Sequence, residues 1–158
     1  MELKNLNLQF ATDAMHLPMQ LARRYHAVTG KPLGITGEVA EYEVARILGV
    51  QLTPARNAGY DATENVNGRM RRLQMQGALS PARLQARLTP GFHRHKKKWD
   101  AVLRVLLEEN FDATEIHEAN RQAVAAALAV PRSKARNERG ALGVKFKAIG
   151  KLRWRRRA

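Results

Sequence analysis

Between Leu6 and Val28 the apolar positions Leu8, Ala11, Met15, Leu17, Leu21 and Val28 recur among polar residues at a loosely helical spacing. Pro18 removes a backbone donor inside this stretch, so the pattern predicts two short helices, or one broken near His16 to Pro18. The next segment is better defined. Thr36 as N-cap, Glu38 in the first turn, then Val39, Tyr42, Ala45, Ile47 and Leu48 before Gly49 predict a helix that stops at the glycine.

Beyond Gly49 the pattern shortens. Val50 to Thr53, Arg69 to Leu79 and Ala101 to Leu107 are separated by Asn, Gly, Asp and Pro, and read as strands. Leu73 and Met75 alternate with Gln74 and Gln76, so the two glutamines should project from one face while the apolar pair enters the core. Ala101 to Leu107 is almost wholly apolar and reads as a central strand, and Thr114 to His117 as a further one. Asn120 should cap an alanine-rich helix ending near Ala129. Helix, strands and helix in this order predict an α/β or α+β domain. Residues 1–33 form a helical N-terminal extension, 34–130 the core and 131–158 a basic C-terminal extension of one compact unit.

Composition narrows the partners. The chain has 158 residues, 44% of them hydrophobic, enough for one ordinary core. It has no cysteine, which excludes disulfide frameworks and thiolate metal sites and points to a reducing, cytoplasmic setting. Apolar runs fall short of the roughly 18 to 20 residues that span a bilayer, and the first residues lack a signal peptide's layout, so no membrane partner is expected. The net charge is +14, and residues 131–158 hold 11 Lys or Arg against the single Glu138. A tail of net +10 attracts polyanions, and nucleic acid is the expected partner, DNA ahead of RNA. A solubilising tail is the plain alternative. Leu142, Val144, Phe146, Ile149, Leu152 and Trp154 interleave the cations, which is not the composition of a disordered arm; these residues should dock on the domain or on a second subunit. Arg132, Lys134, Arg136, Lys145, Lys147, Arg153, Arg155, Arg156 and Arg157 would then line a phosphate-binding groove. The cluster His93, Arg94, His95, Lys96, Lys97 and Lys98 reads as a basic loop contacting phosphate rather than a two-histidine metal site, because adjacent cations oppose a metal.

The candidate chemistry centres on Gly59-Tyr60-Asp61 and on Leu73-Gln74-Met75-Gln76, downstream of the helix that carries Glu38 and Glu41. Together with the string Gly34 to Gly49 and Trp99 to Leu103, these segments resemble, in order and spacing, the restriction-endonuclease-like PD-(D/E)xK nucleases over roughly Gly34 to Ala129. The resemblance implies a central mixed β-sheet flanked by helices and a divalent metal, Mg²⁺, bound by a strand-end Asp and a following Asp/Glu-x-Lys, with a helix Glu assisting. Asp61 takes the Asp position, Gln74 the acidic position, Gln76 the lysine position, and Glu41 or Glu38 the helix position. Asp61, Glu41 and Gln74 would hold the metal. A homodimer is implied in the same way.

The departure from that pattern is Gln-x-Gln. Phosphodiester hydrolysis needs a metal to activate water and a cation to offset charge in the transition state. Gln74 can offer a carbonyl oxygen to Mg²⁺, whereas Gln76 cannot replace an ammonium. Simpler readings exist for each residue: Asp61 as a turn residue, Glu38 as a helix N-terminal charge, the glutamines as polar residues on a half-exposed strand. Two functions follow: a nucleic-acid-binding protein with a Mg²⁺-dependent endonuclease site of reduced charge, or a non-catalytic nucleic-acid or protein-binding module on the same scaffold. Walker loops, dinucleotide fingerprints and Ser/His/Asp signatures do not stand out in the sequence.

Overall fold

The computed structural model describes residues 2–30, 33–54, 59–79, 98–129 and 146–157. Helix α1 (Glu2–Thr29) runs straight through Pro18, so the break expected near His16 does not occur. A proline forfeits one intrahelical bond, and here docking offsets it: Met15, Met19 and Ala22 on one side of α1 pack into the core. Helix α2 spans Thr36–Leu48. Its N-cap is Ile35, with no side-chain hydrogen bond, which moves Thr36 from the expected cap into the first turn. Gly49 ends the helix as anticipated, with φ 68° and its N–H donated to the Ala45 carbonyl.

Among the described residues six strands form one mixed sheet in sequential order: β1 (Gln51–Leu52), β2 (Ala62–Val66), β3 (Arg69–Leu79), β4 (Ala101–Leu107), β5 (Ala113–Asn120) and β6 (Lys151–Arg155). Only β3 and β4 run parallel; the other neighbours are antiparallel. The β2–β3 hairpin turns through Asn67 and Gly68, both at positive φ (52° and 80°), the backbone that matches the twist of a two-residue hairpin. Neither β2 nor β6 was foreseen. Asn67-Gly68 was the available signal for the first, and the alternation Lys-Leu-Arg-Trp-Arg for the second.

The sheet has two covered faces. On one, Leu73, Met75, Leu103, Val105 and Ile116 pack with Val39, Ala40 and Val44 of α2. Gly77 permits this contact: a Cβ there would collide with the Thr36 carbonyl oxygen and lie 2.9 Å from the Ala40 Cβ. On the other face Val102 and Ala119 meet Trp99, Val124 of α3 (Arg121–Ala129) and Phe146 of α4 (Phe146–Ile149). Asn120 caps α3, its Oδ1 accepting the Ala123 N–H at 2.8 Å. Cover on both sides explains why β4 is apolar at every position except Arg104. Each fully buried Leu or Ile contributes roughly 1.5 to 3 kcal/mol. The C-terminal segment is part of this architecture, since Phe146 is fully buried and Trp154 packs against the α2-side core. Among the described residues, no helix is long and apolar enough to cross a membrane.

Candidate functional site

Asp61 sits immediately before β2 and continues its ladder: its N–H donates to the Leu73 carbonyl at 2.8 Å, and its carbonyl accepts the Thr53 N–H at 2.9 Å. Two strands therefore fix its backbone. Its carboxylate turns toward β3, where Oδ2 accepts the Met75 N–H at 2.7 Å and a short hydrogen bond from the Gln74 amide. The expected alternation holds along β3, with Leu73 and Met75 buried and Gln74 and Gln76 partly exposed between them.

With its amide nitrogen committed to Asp61, Gln74 is left with a buried Oε1 that has no hydrogen-bond partner. A buried carbonyl oxygen without a donor carries a desolvation cost. Glu41, half-buried on α2, lies within electrostatic reach of Asp61. Burial, then the negative charges of Asp61 and Glu38, push its carboxyl up to about 7. A carboxyl whose pKa is raised by burial and by neighbouring carboxylates is one that a cation would ionise. Asp61 thus adjoins Gln74 through a hydrogen bond and acts on Glu41 through its charge. Glu38 adds to its negative field from the exposed first turn of α2. Among the described residues no three of His, Cys, Asp and Glu lie close enough to hold a metal ion by themselves.

Gln76 is the register partner of Arg104 on β4. Asp100 and Glu115 are engaged by other side chains. Asp100 accepts the Arg72 N–H, Nε and Nη2, and this pairing lowers its carboxyl to about 2. Glu115 is held at about 2, first by its hydrogen bond with His117 and then by that from Lys147.

No protein-family model matches this chain, and no curated protein matches it.

The basic residues divide into those engaged within the fold and those outside the described residues. Lys147 and Arg155 donate to Glu115, Arg153 to Glu64 and Glu118, and Arg156 to Glu108. The cations of these pairs are largely exposed, except Arg153, which is mostly enclosed. Arg157 and Lys98 are exposed. His93, Arg94, His95, Lys96, Lys97, Arg132, Lys134, Arg136 and Lys145 lie outside the described residues. Sequence reasoning missed Arg104 and His117. A lone Arg inside an apolar strand was the available signal for the first; nothing in the local pattern marked the second.

Proposed function

We propose that this chain is a nucleic-acid-binding protein on a restriction-endonuclease-like core, with a Mg²⁺ site at Asp61, Glu41 and Gln74 that supports slow phosphodiester hydrolysis. The observation that carries the reading is the convergence on Asp61: Gln74 and Met75 orient its carboxylate, and, after burial, its charge helps to raise the pKa of the Glu41 carboxyl. A mixed sheet flanked by helices is the setting that the resemblance implied.

The donor types fit a hard cation, because two carboxylates and an amide oxygen without a protein partner are all oxygen ligands. When bound, Mg²⁺ would polarise the phosphate and acidify an attacking water. Asp61 and Glu41 would supply the negative charge, and Glu41 would lose its proton to do so. Gln74 would contribute Oε1 while its amide nitrogen keeps Asp61 in place. Gln76 can orient a water by hydrogen bonding but brings no charge to the transition state, which is why hydrolysis should be slow.

Titration of Mg²⁺ and Mn²⁺ into the protein and its Asp61→Ala variant, by calorimetry alongside a labelled-DNA cleavage assay, tests this reading. Binding and cutting that are both lost in a folded variant support it. Cation binding that persists unchanged in Asp61→Ala would sink it. The second reading, a non-catalytic nucleic-acid-binding module, is favoured by one observation: two glutamines stand where the resembled pattern has an acid and a lysine. Salt-dependent DNA binding with neither cation binding nor cutting is its expected result.

A further inference from the structure

Gln76, Arg104 and His117 stand side by side on three adjacent strands. Gln76 and Arg104 are register partners across the parallel β3–β4 pair, and Arg104 and His117 across the antiparallel β4–β5 pair. Partners directly opposite share a face, so the three side chains form one row, with Gln74 two residues along β3 on the same face.

Arg104 is the only polar residue of β4, and it is half-buried. Among the described residues it has no ion pair or hydrogen bond, and burial alone acts on its pKa, pulling it below the usual arginine value. Outside the described side chains the sequence holds only three acidic residues, Glu2, Asp13 and Glu138. A half-buried guanidinium without a counter-charge is unfavourable, and an apolar residue would suit a central strand better. His117 is 6% exposed; its Nε2 lies 2.7 Å from Glu115, while Nδ1 is buried without a partner. An uncompensated cation therefore stands beside an imidazole nitrogen with unused hydrogen-bonding capacity and an amide that can donate.

We infer that Arg104, flanked by Gln76 and His117, binds a phosphate group of the nucleic acid and supplies from β4 the positive charge that Gln76 does not. The inference rests on the proposed phosphodiester reading of the Asp61 site. Neighbouring strands are about 4.8 Å apart, well within the reach of an arginine side chain, so a guanidinium rooted at Arg104 serves the space beside Gln76.

Equilibrium binding of a labelled DNA duplex between about 50 and 200 mM salt, followed by fluorescence anisotropy, tests it. Arg104→Gln should weaken binding roughly 3- to 10-fold and reduce the salt slope by about 0.9, the value of one phosphate contact. Arg104→Lys should keep the slope, and Gln76→Lys added to Arg104→Gln should restore it. Loss of an unpaired, half-buried charge should leave the thermal midpoint of Arg104→Gln at or above that of the wild type, which separates lost contact from lost fold. An unchanged slope in Arg104→Gln overturns the inference, and so does a double variant that recovers nothing. The two readings fail separately. Cation binding that survives Asp61→Ala ends the metal-site reading, whereas an unchanged Arg104→Gln slope with cation binding abolished by Asp61→Ala ends this inference alone.

Discussion

Arg153 of β6 donates to both carboxylate oxygens of Glu64 of β2, at 2.5 and 3.3 Å, across 89 residues of chain. Arg71 bridges Glu64 and Glu118, and Arg153 closes the circuit by donating to Glu118 at 2.7 Å. Each carboxylate therefore has two arginines, and each arginine two carboxylates. Glu64 is largely enclosed, with 9% of its side chain exposed. Four strands are tied together at one end of the sheet by charge rather than by apolar packing.

Glu64→Gln should lower unfolding stability by about 1 to 3 kcal/mol, because it leaves two guanidinium groups short of a counter-charge in a partly enclosed setting. A shift in the urea midpoint with an unchanged slope is the expected signature. A double-mutant cycle with Arg153→Met should return a clear coupling energy; additivity of the two changes would contradict the circuit.

Gly77→Ala should be costly despite adding only one methyl group. The new Cβ meets the Thr36 carbonyl and the Ala40 Cβ, so α2 has to shift on β3. A loss of about 1 to 3 kcal/mol is expected. Because α2 also carries Glu41, the variant should bind Mn²⁺ more weakly than Gly37→Ala, where the added methyl meets no atom within 4 Å. Equal binding by the two variants would detach the site from the docking of α2.

The raised Glu41 carboxyl has a defined pH signature. Its folded-state pKa of about 7 lies above the ordinary 4.5, so its contribution to stability is complete below about 4.5 and is lost as pH rises through 7. Glu41→Gln should therefore be more stable than the wild type at pH 8, by about 1 to 2 kcal/mol once solvent screening is allowed for, and little different at pH 4. Divalent-cation affinity of the wild type should climb between pH 6 and 8, since binding expels the Glu41 proton. A flat profile across that range would remove Glu41 from the ligand set.

Asp100 predicts the opposite behaviour at acid pH. Arg72 holds its carboxyl at about 2, below the ordinary 3.8, so the stability it contributes is present above about 4 and is lost as pH falls through 2. Asp100→Asn should flatten the acid limb of the stability curve between pH 4 and 2, read from thermal midpoints. An acid limb as steep as that of the wild type would locate its source in other carboxylates.

Where a single periodicity governed a segment, the sequence was readable. Leu73 and Met75 alternating with Gln74 and Gln76 gave β3 its bounds and faces, and the apolar run of β4 gave a central strand buried on both sides. Competing signals caused the misreadings. Pro18 outweighed the helical spacing around it, although tertiary docking of Met15, Met19 and Ala22 carries α1 through. In Lys151 to Arg155 the density of charge concealed a strand whose Trp154 packs against the core. The pairing of Asp61 with Gln74 was anticipated only as proximity; that the amide spends its nitrogen on Asp61 and leaves Oε1 bare depends on rotamers, which spacing does not encode. Arg104 acquires meaning only from its register with Gln76, a relation between residues 28 apart in the chain.

Strand β6 also bears on how copies of the protein meet in solution. Among the described residues it has a neighbour on one side only, and its other edge offers unpaired backbone of the kind that templates the addition of a foreign strand. Lys151, Arg155, Arg156 and Arg157 on and just beyond this strand are exposed, so two identical edges brought together should repel. The repulsion reaches about 10 Å at 0.1 M salt and about 3 Å at 1 M. Raising the salt should therefore weaken any repulsion between two such borders.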